Sequence, residues 1–163
     1  MSTFCVAYRG NPGLHGNMDA PAVAMQRGLA VTRSSDTVAK AGAGVIPYGF
    51  LDSEVTTDGP NFEEKEFIPE TIQNEVKVSV GKISVVPFVP GVEYVMSGNV
   101  ESGITFAVGD SVVLAADGEI TNESGIDNTG DQILGTVQEI DVVFEDVTDA
   151  VVWKAEADRG TVV

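Results

Sequence analysis

A single histidine, His15, and a single cysteine, Cys5, are the chain's only imidazole and thiol, and both fall within its first fifteen residues. Nucleophilic catalysis of the Ser–His or Cys–His kind needs a base held against its nucleophile by a third, orienting group. Asn11, Pro12, Gly13 and Gly16 break up this stretch, so no regular element is available to orient either residue. One histidine and one cysteine also rule out two-histidine and multi-thiolate zinc sites within one chain. Only Arg9 and His15 lie near enough in sequence to lower the Cys5 pKa, so we read the thiol as a small buried or tolerated side chain. No G-x-x-x-x-G-K-[ST] loop occurs, and Gly42, Gly44 and Gly49 do not make a G-x-G-x-x-G turn within a βαβ unit.

Carboxylates are the abundant reactive type, with 25 Asp and Glu against nine Lys and Arg and a formal charge of −16. Glycoside hydrolysis needs two of them across a cleft, together with aromatic platforms for the sugar. Trp153 is the only tryptophan and the three tyrosines are dispersed. Asp127, Asn128, Thr129, Gly130 and Asp131 gather oxygen donors of the kind calcium takes, but without the EF-hand order or its distal glutamate. We read that loop as a polar turn and assign no metal, no cofactor and no enzymatic activity. The nine cations are scattered singly, and a polyanion is repelled by phosphate, so direct nucleic-acid binding is not expected. No segment approaches the roughly 20 apolar residues that span a bilayer, and the first residues lack the apolar run of a secretion signal. The expectation is a soluble protein made in the cytoplasm, with no membrane partner.

Eighteen glycines among many valines and threonines favour strands joined by tight turns over helices. Residues 1–27 are expected to form an extended arm, because Asn11, Pro12, Gly13, Gly16, Asn17 and Pro21 interrupt any period. The arm's apolar residues Phe4, Tyr8, Leu14 and Met18 need a surface, either the chain's own core or a neighbouring subunit. They are the candidate inter-subunit contacts.

Residues 28–163 read as one β-domain. Strand signals lie at 28–33, at 45–51 with Pro47 marking an edge or bulge, and at 76–80, where three valines alternate with Lys77 and Ser79. Further signals lie at 83–89, 91–96, 104–108, 111–116, 132–145 and 151–158. In the last, Val151, Trp153, Ala155 and Ala157 share one side and Val152, Lys154, Glu156 and Asp158 the polar other. An acidic excursion, 52–75, is pinned by Phe62, Phe67 and Ile68 and is long enough to be an interaction element. Turn signals recur about every 8–12 residues, as in an all-β sandwich or barrel. VTRSSDTV…VIPYGFLDSEV (31–55) also faintly echoes VLAADGEI…QILGTVQEI (113–140), each a strand, a polar turn and a strand carrying glycine. So few positions match that common hairpin grammar would account for them.

GLAVTR…VIPYGFLDSEV, followed by GDSVVLAADGEI…GDQILGTVQEI, resembles the head decoration, or cement, proteins of tailed bacteriophages over residues 28–140. The shared pattern is a polar turn with D-G and then a strand carrying I-L-G-x-[AV]. The resemblance implies a β-rich protein, often a homotrimer, that binds the major capsid protein on the exterior of the virion head and stabilises the mature shell by bridging capsid subunits. Two other classes fit the residues less well. One is a tail-tube or baseplate subunit, and the other is a carbohydrate-binding adhesive β-sandwich.

Overall fold

The computed structural model describes residues 3–19, 24–53, 82–125 and 128–163. They form eleven strands: β1 (Phe4–Arg9), β2 (Gly16–Asp19), β3 (Ala30–Ser34), β4 (Thr37–Lys40), β5 (Gly49–Leu51), β6 (Lys82–Pro87), β7 (Glu93–Ser97), β8 (Ser111–Leu114), β9 (Ile120–Thr121), β10 (Gly135–Phe144) and β11 (Val147–Ala155). Strands β2-β4-β3-β5-β6 close into a barrel, and β1-β7-β11-β10-β8-β9 make a six-stranded sheet. The all-β class is therefore correct, and the architecture is a barrel packed on a sheet. The acidic excursion beyond Ser53, and the alternation at 76–80, lie outside the described residues.

The internal echo is a repeat of backbone pairing. In the first half Val31 pairs with Gly49, and Phe50 with Val86. In the second half Val112 pairs with Gly135, and Thr136 with Lys154. The flanking bonds correspond as well. Tyr48 N–H donates to the Val31 carbonyl at 2.8 Å, as Leu134 N–H does to Val112 at 2.8 Å. Likewise Gly28 N–H donates to Leu51 at 2.7 Å and Gly109 N–H to Val137 at 2.9 Å, with both glycines at positive φ, +94 and +95. Only glycine takes that conformation at little cost. The match extends to strands whose sequences share almost nothing. Gly16 and Met18 face Val85 and Ile83, and Tyr94 and Met96 face Trp153 and Val151. The second copy is a half-barrel; the single parallel bridge of Val100 to Ile120 answers to the single parallel pair of Asp19 and Thr37 in the first copy.

Side-chain alternation builds two linked cores. Met18, Val31, Val38, Leu51, Ile83 and Val85 fill the barrel. Their neighbours Ala30, Phe50 and Val86 point the other way, into the cluster of Tyr94, Met96, Val112 and Trp153 on the sheet. Four rings stitch the copies together. Trp153 lies 5.1 Å from Tyr94, 5.8 Å from Phe50 and 6.2 Å from Phe88 between centroids, in edge and offset arrangements that aromatic quadrupoles favour. On the opposite sheet face Phe4, Val95, Val147, Ala150 and Val152 form a smaller cluster, flanked by Tyr8, Val142 and Phe144.

Four local expectations are corrected. The N-terminal stretch is not an arm: β1 is an edge strand antiparallel to β7, with Phe4 opposite Ser97, and β2 completes the barrel against β6. Pro47 stands before β5, in a loop rather than within a strand. Residues 104–107 form no strand; Phe106 is buried, and the chain turns at Val108 and Gly109. Val152 is fully buried on the second sheet face, although Lys154 on that face is exposed, while Ala157 and Asp158 lie beyond the end of β11 in a bend.

Arg27 clamps the barrel to the β10–β11 turn. Its Nε donates to Asp52 Oδ1 at 2.9 Å, and its terminal nitrogens bind both Glu145 oxygens at 3.1 and 3.2 Å. The guanidinium lies 5.7 Å from the centre of the Phe4 ring, and the Arg27 carbonyl accepts the Asn99 side-chain amide at 2.7 Å. A forked donor satisfied by two carboxylates is not replaced by an ammonium. Arg27→Ala should lower unfolding free energy by about 1 kcal/mol, with Arg27→Lys recovering less than half. Urea titrations at low and high salt measure this, and a loss that salt leaves unchanged would contradict it.

Candidate interaction surface

The chemistry-bearing residues are dispersed. Cys5 is wholly buried in the sheet core. Burial pushes its thiol well above the ordinary 9.0, against a smaller downward pull from the neighbouring Trp153 side chain. Burial also holds the Tyr94 phenol up to about 12, although it accepts the Val89 N–H at 2.8 Å; its hydroxyl donates to the Pro87 carbonyl at 2.5 Å. His15 is exposed, 3.2 Å from Ser84 Oγ and 3.9 Å from Asp52, so the fold does not bring it to Cys5. Trp153 lies inside the core and cannot serve as a platform for sugar.

Both folded-state values are raised, which fixes the sign of the pH dependence. The stabilisation is complete below the unfolded thiol's 9.0 and is lost as pH climbs above it, with Tyr94 adding a loss of the same sign between 10.0 and about 12. Urea midpoints should therefore fall from about pH 9 upward, less steeply in Cys5→Ala. A thiol reagent at pH 8 should label Cys5 only as fast as the protein opens. Immediate labelling of the folded protein would refute the burial.

The oxygen-rich loop near 128 turns its amide inward. The buried Asn128 side chain donates to the Asn122 carbonyl at 2.6 Å, and Asp131 N–H closes a turn on the Asn128 carbonyl at 3.0 Å. Asp127 lies outside the described residues. Nearby, Asp110, Glu101 and Glu123 are engaged with Asn122, Thr121 and the Ser111 N–H. These are structural bonds that satisfy buried polar groups. No cluster of three metal-ligating side chains occurs among the described residues.

Of the four contact residues read from the sequence, the fold separates two from the surface. Phe4 and Met18 are buried in different cores of the same chain. Tyr8 is half-buried against Phe144, with the Arg9 guanidinium 4.7 Å from its ring centre. Leu14, in the β1–β2 loop, is 94% exposed and is the one free anchor of the set.

A second apolar surface was missed in the sequence. β8 has four residues and pairs with β10 only at Gly135 and Thr136, Val137 continuing onto Asp110. Among the described residues no strand pairs β10 beyond Val137 on that side, yet the β10–β11 hairpin runs on to Phe144 and Val147. Register shifts and a positive φ of +54 at Asp141 bend it. Ile140 and Val143 stand exposed on it, the latter at 72%.

Where the hairpin outruns β8, the open mouth of the half-barrel leaves a cleft of about 460 Å³. Met96, Val100, Ile104, Phe106 and Val151 supply its apolar lining, with Ile140, Asp141 and Asp149 alongside. The only available signal was the consecutive apolar residues Val142, Val143 and Phe144, which cannot all face one side of a strand. No protein-family model matches the chain, and no curated protein matches it.

Proposed function

We propose that the chain is a docking protein of the virion, a capsid decoration protein that binds the outer surface of a tailed-bacteriophage head and bridges neighbouring capsid subunits. The observation that carries this reading is the exposed apolar hairpin, whose edge no described strand covers, with its adjoining cleft, in a fold whose cysteine and lone tryptophan are buried in the core. The strand–turn resemblance supplies the identity of the partner, the major capsid protein, and the expectation of a homotrimer. A ligand that binds only the mature lattice stabilises it by mass action, by about 2.7 kcal/mol per site at a hundredfold excess over Kd. Linking sites through an oligomer raises the effective concentration further.

The β10 edge, beside which no described strand lies beyond Val137, also suits a tail-tube or baseplate subunit, because an open strand edge is a template for pairing with another chain. Light scattering after size exclusion separates the two. A decoration protein stops at a small closed oligomer, whereas a tube subunit grows into rings or filaments. Cosedimentation with mature heads from the source phage tests the main reading, and failure to bind them removes it.

A further inference from the structure

Building on this docking role, we propose that the half-barrel mouth is a receptor for an extended partner segment that alternates basic and apolar residues. The cleft is apolar along Met96, Ile104, Phe106 and Val151, and among the described residues its charged lining is Asp141 and Asp149. No described lysine or arginine lines it, and no described cation pairs with either carboxylate, whereas Arg9, Arg27 and Arg159 are all engaged in intrachain ion pairs. The occupant must therefore bring positive charge as well as apolar surface. A second copy of this chain, at a net −16, is a poor source of it.

The occupant's backbone is specified too. The β10 edge beyond Val137 has no described strand beside it and borders the cleft at Ile140 and Asp141. A polypeptide in extended form can pair with such an edge, directing alternate side chains into the cleft and toward solvent. The same region of the first copy offers no equivalent. There the barrel is closed through the Asp19–Thr37 pairing, and Met18, Met25 and Ile83 are packed into one cluster.

The test uses the full chain and a blocked pentapeptide alternating lysine and valine, with all-lysine and glutamate–valine peptides as controls. Methyl resonances of Met96, Ile104, Ile140 and Val151 should shift and saturate with the lysine–valine peptide alone. Asp141→Asn/Asp149→Asn should weaken that binding about tenfold, and Asp36→Asn/Asp117→Asn, which removes the same charge elsewhere, by less than about twofold. The inference fails if those methyls do not move at millimolar peptide, if the all-lysine peptide binds as well, or if both double variants lose affinity equally. Cosedimentation with heads separates this failure from that of the docking reading. If the Asp141→Asn/Asp149→Asn protein still binds heads like the parent, the cleft is not the receptor and docking stands. If the parent never binds heads while the peptide binds as described, docking to heads falls and the receptor stands.

Discussion

Trp153→Ala will lower the unfolding free energy by about 4 kcal/mol and the melting temperature by about 10 °C. The indole is fully buried, and it is the ring that Phe50 and Phe88 from the barrel side and Tyr94 from the sheet all touch. Truncation removes the transfer energy of a large apolar group and leaves a cavity that four elements would have to collapse together to fill. Trp153→Phe should recover more than half of the loss, since a ring still bridges the two copies. Urea unfolding of both variants with unchanged m-values measures the effect. A loss below about 1 kcal/mol would mean that the barrel and sheet are held together elsewhere.

The second large effect comes from adding one methyl group. A Cβ on Gly135 would fall inside the contact shell of the Lys154 carbonyl oxygen and 2.9 Å from Trp153 Cε3; on Gly49 it would collide with the Val86 carbonyl and lie 2.7 Å from Val85 Cγ1. Both obstacles include backbone of the neighbouring strand, which cannot swing aside as a side-chain tip can. Gly135→Ala and Gly49→Ala should each cost about 3 kcal/mol, at the upper end of overpacking effects. Gly42→Ala is the control. Nothing lies within 4 Å of its added Cβ and its φ is not positive, so it should be neutral or stabilise by up to about 0.5 kcal/mol. If Gly135→Ala behaves like Gly42→Ala, the close strand approach is wrong. The two glycines hold equivalent places in the two copies, so their penalties should be alike.

These same glycines show how far the sequence could be read. Each follows apolar residues and opens a strand, which made the echo visible, but too few neighbours matched to separate a repeat from ordinary hairpin grammar. The equivalence of β2 with β7, Gly16–Asp19 against Glu93–Ser97, had no sequence trace beyond a shared methionine, Met18 and Met96. Likewise β1 looked irregular because Gly10, Asn11, Pro12 and Gly13 follow it at once, and its partner β7 is some ninety residues away. At 104–108 the error ran the other way. Alternation alone proposed a strand, and the burial of Phe106 followed by a turn at Gly109 produced the same pattern without a ladder. Of the proposed contact residues only Leu14 kept its exposure, because apolarity marks a side chain for burial without saying against what.

Local physics was therefore written in the chain: the period of two, the turns at Ser34–Asp36 and Asp117–Gly118, the charge excess and the scarcity of nucleophiles. Partner choice was not. Ladder bonds are made by backbone groups that every residue but proline carries, so the same register can hold Gly16 against Val85 and Tyr94 against Trp153 without side chains in common. The cleft exists because β8 stops after four residues while β10 runs for ten, a relation between strand ends that forms only when the sheet does.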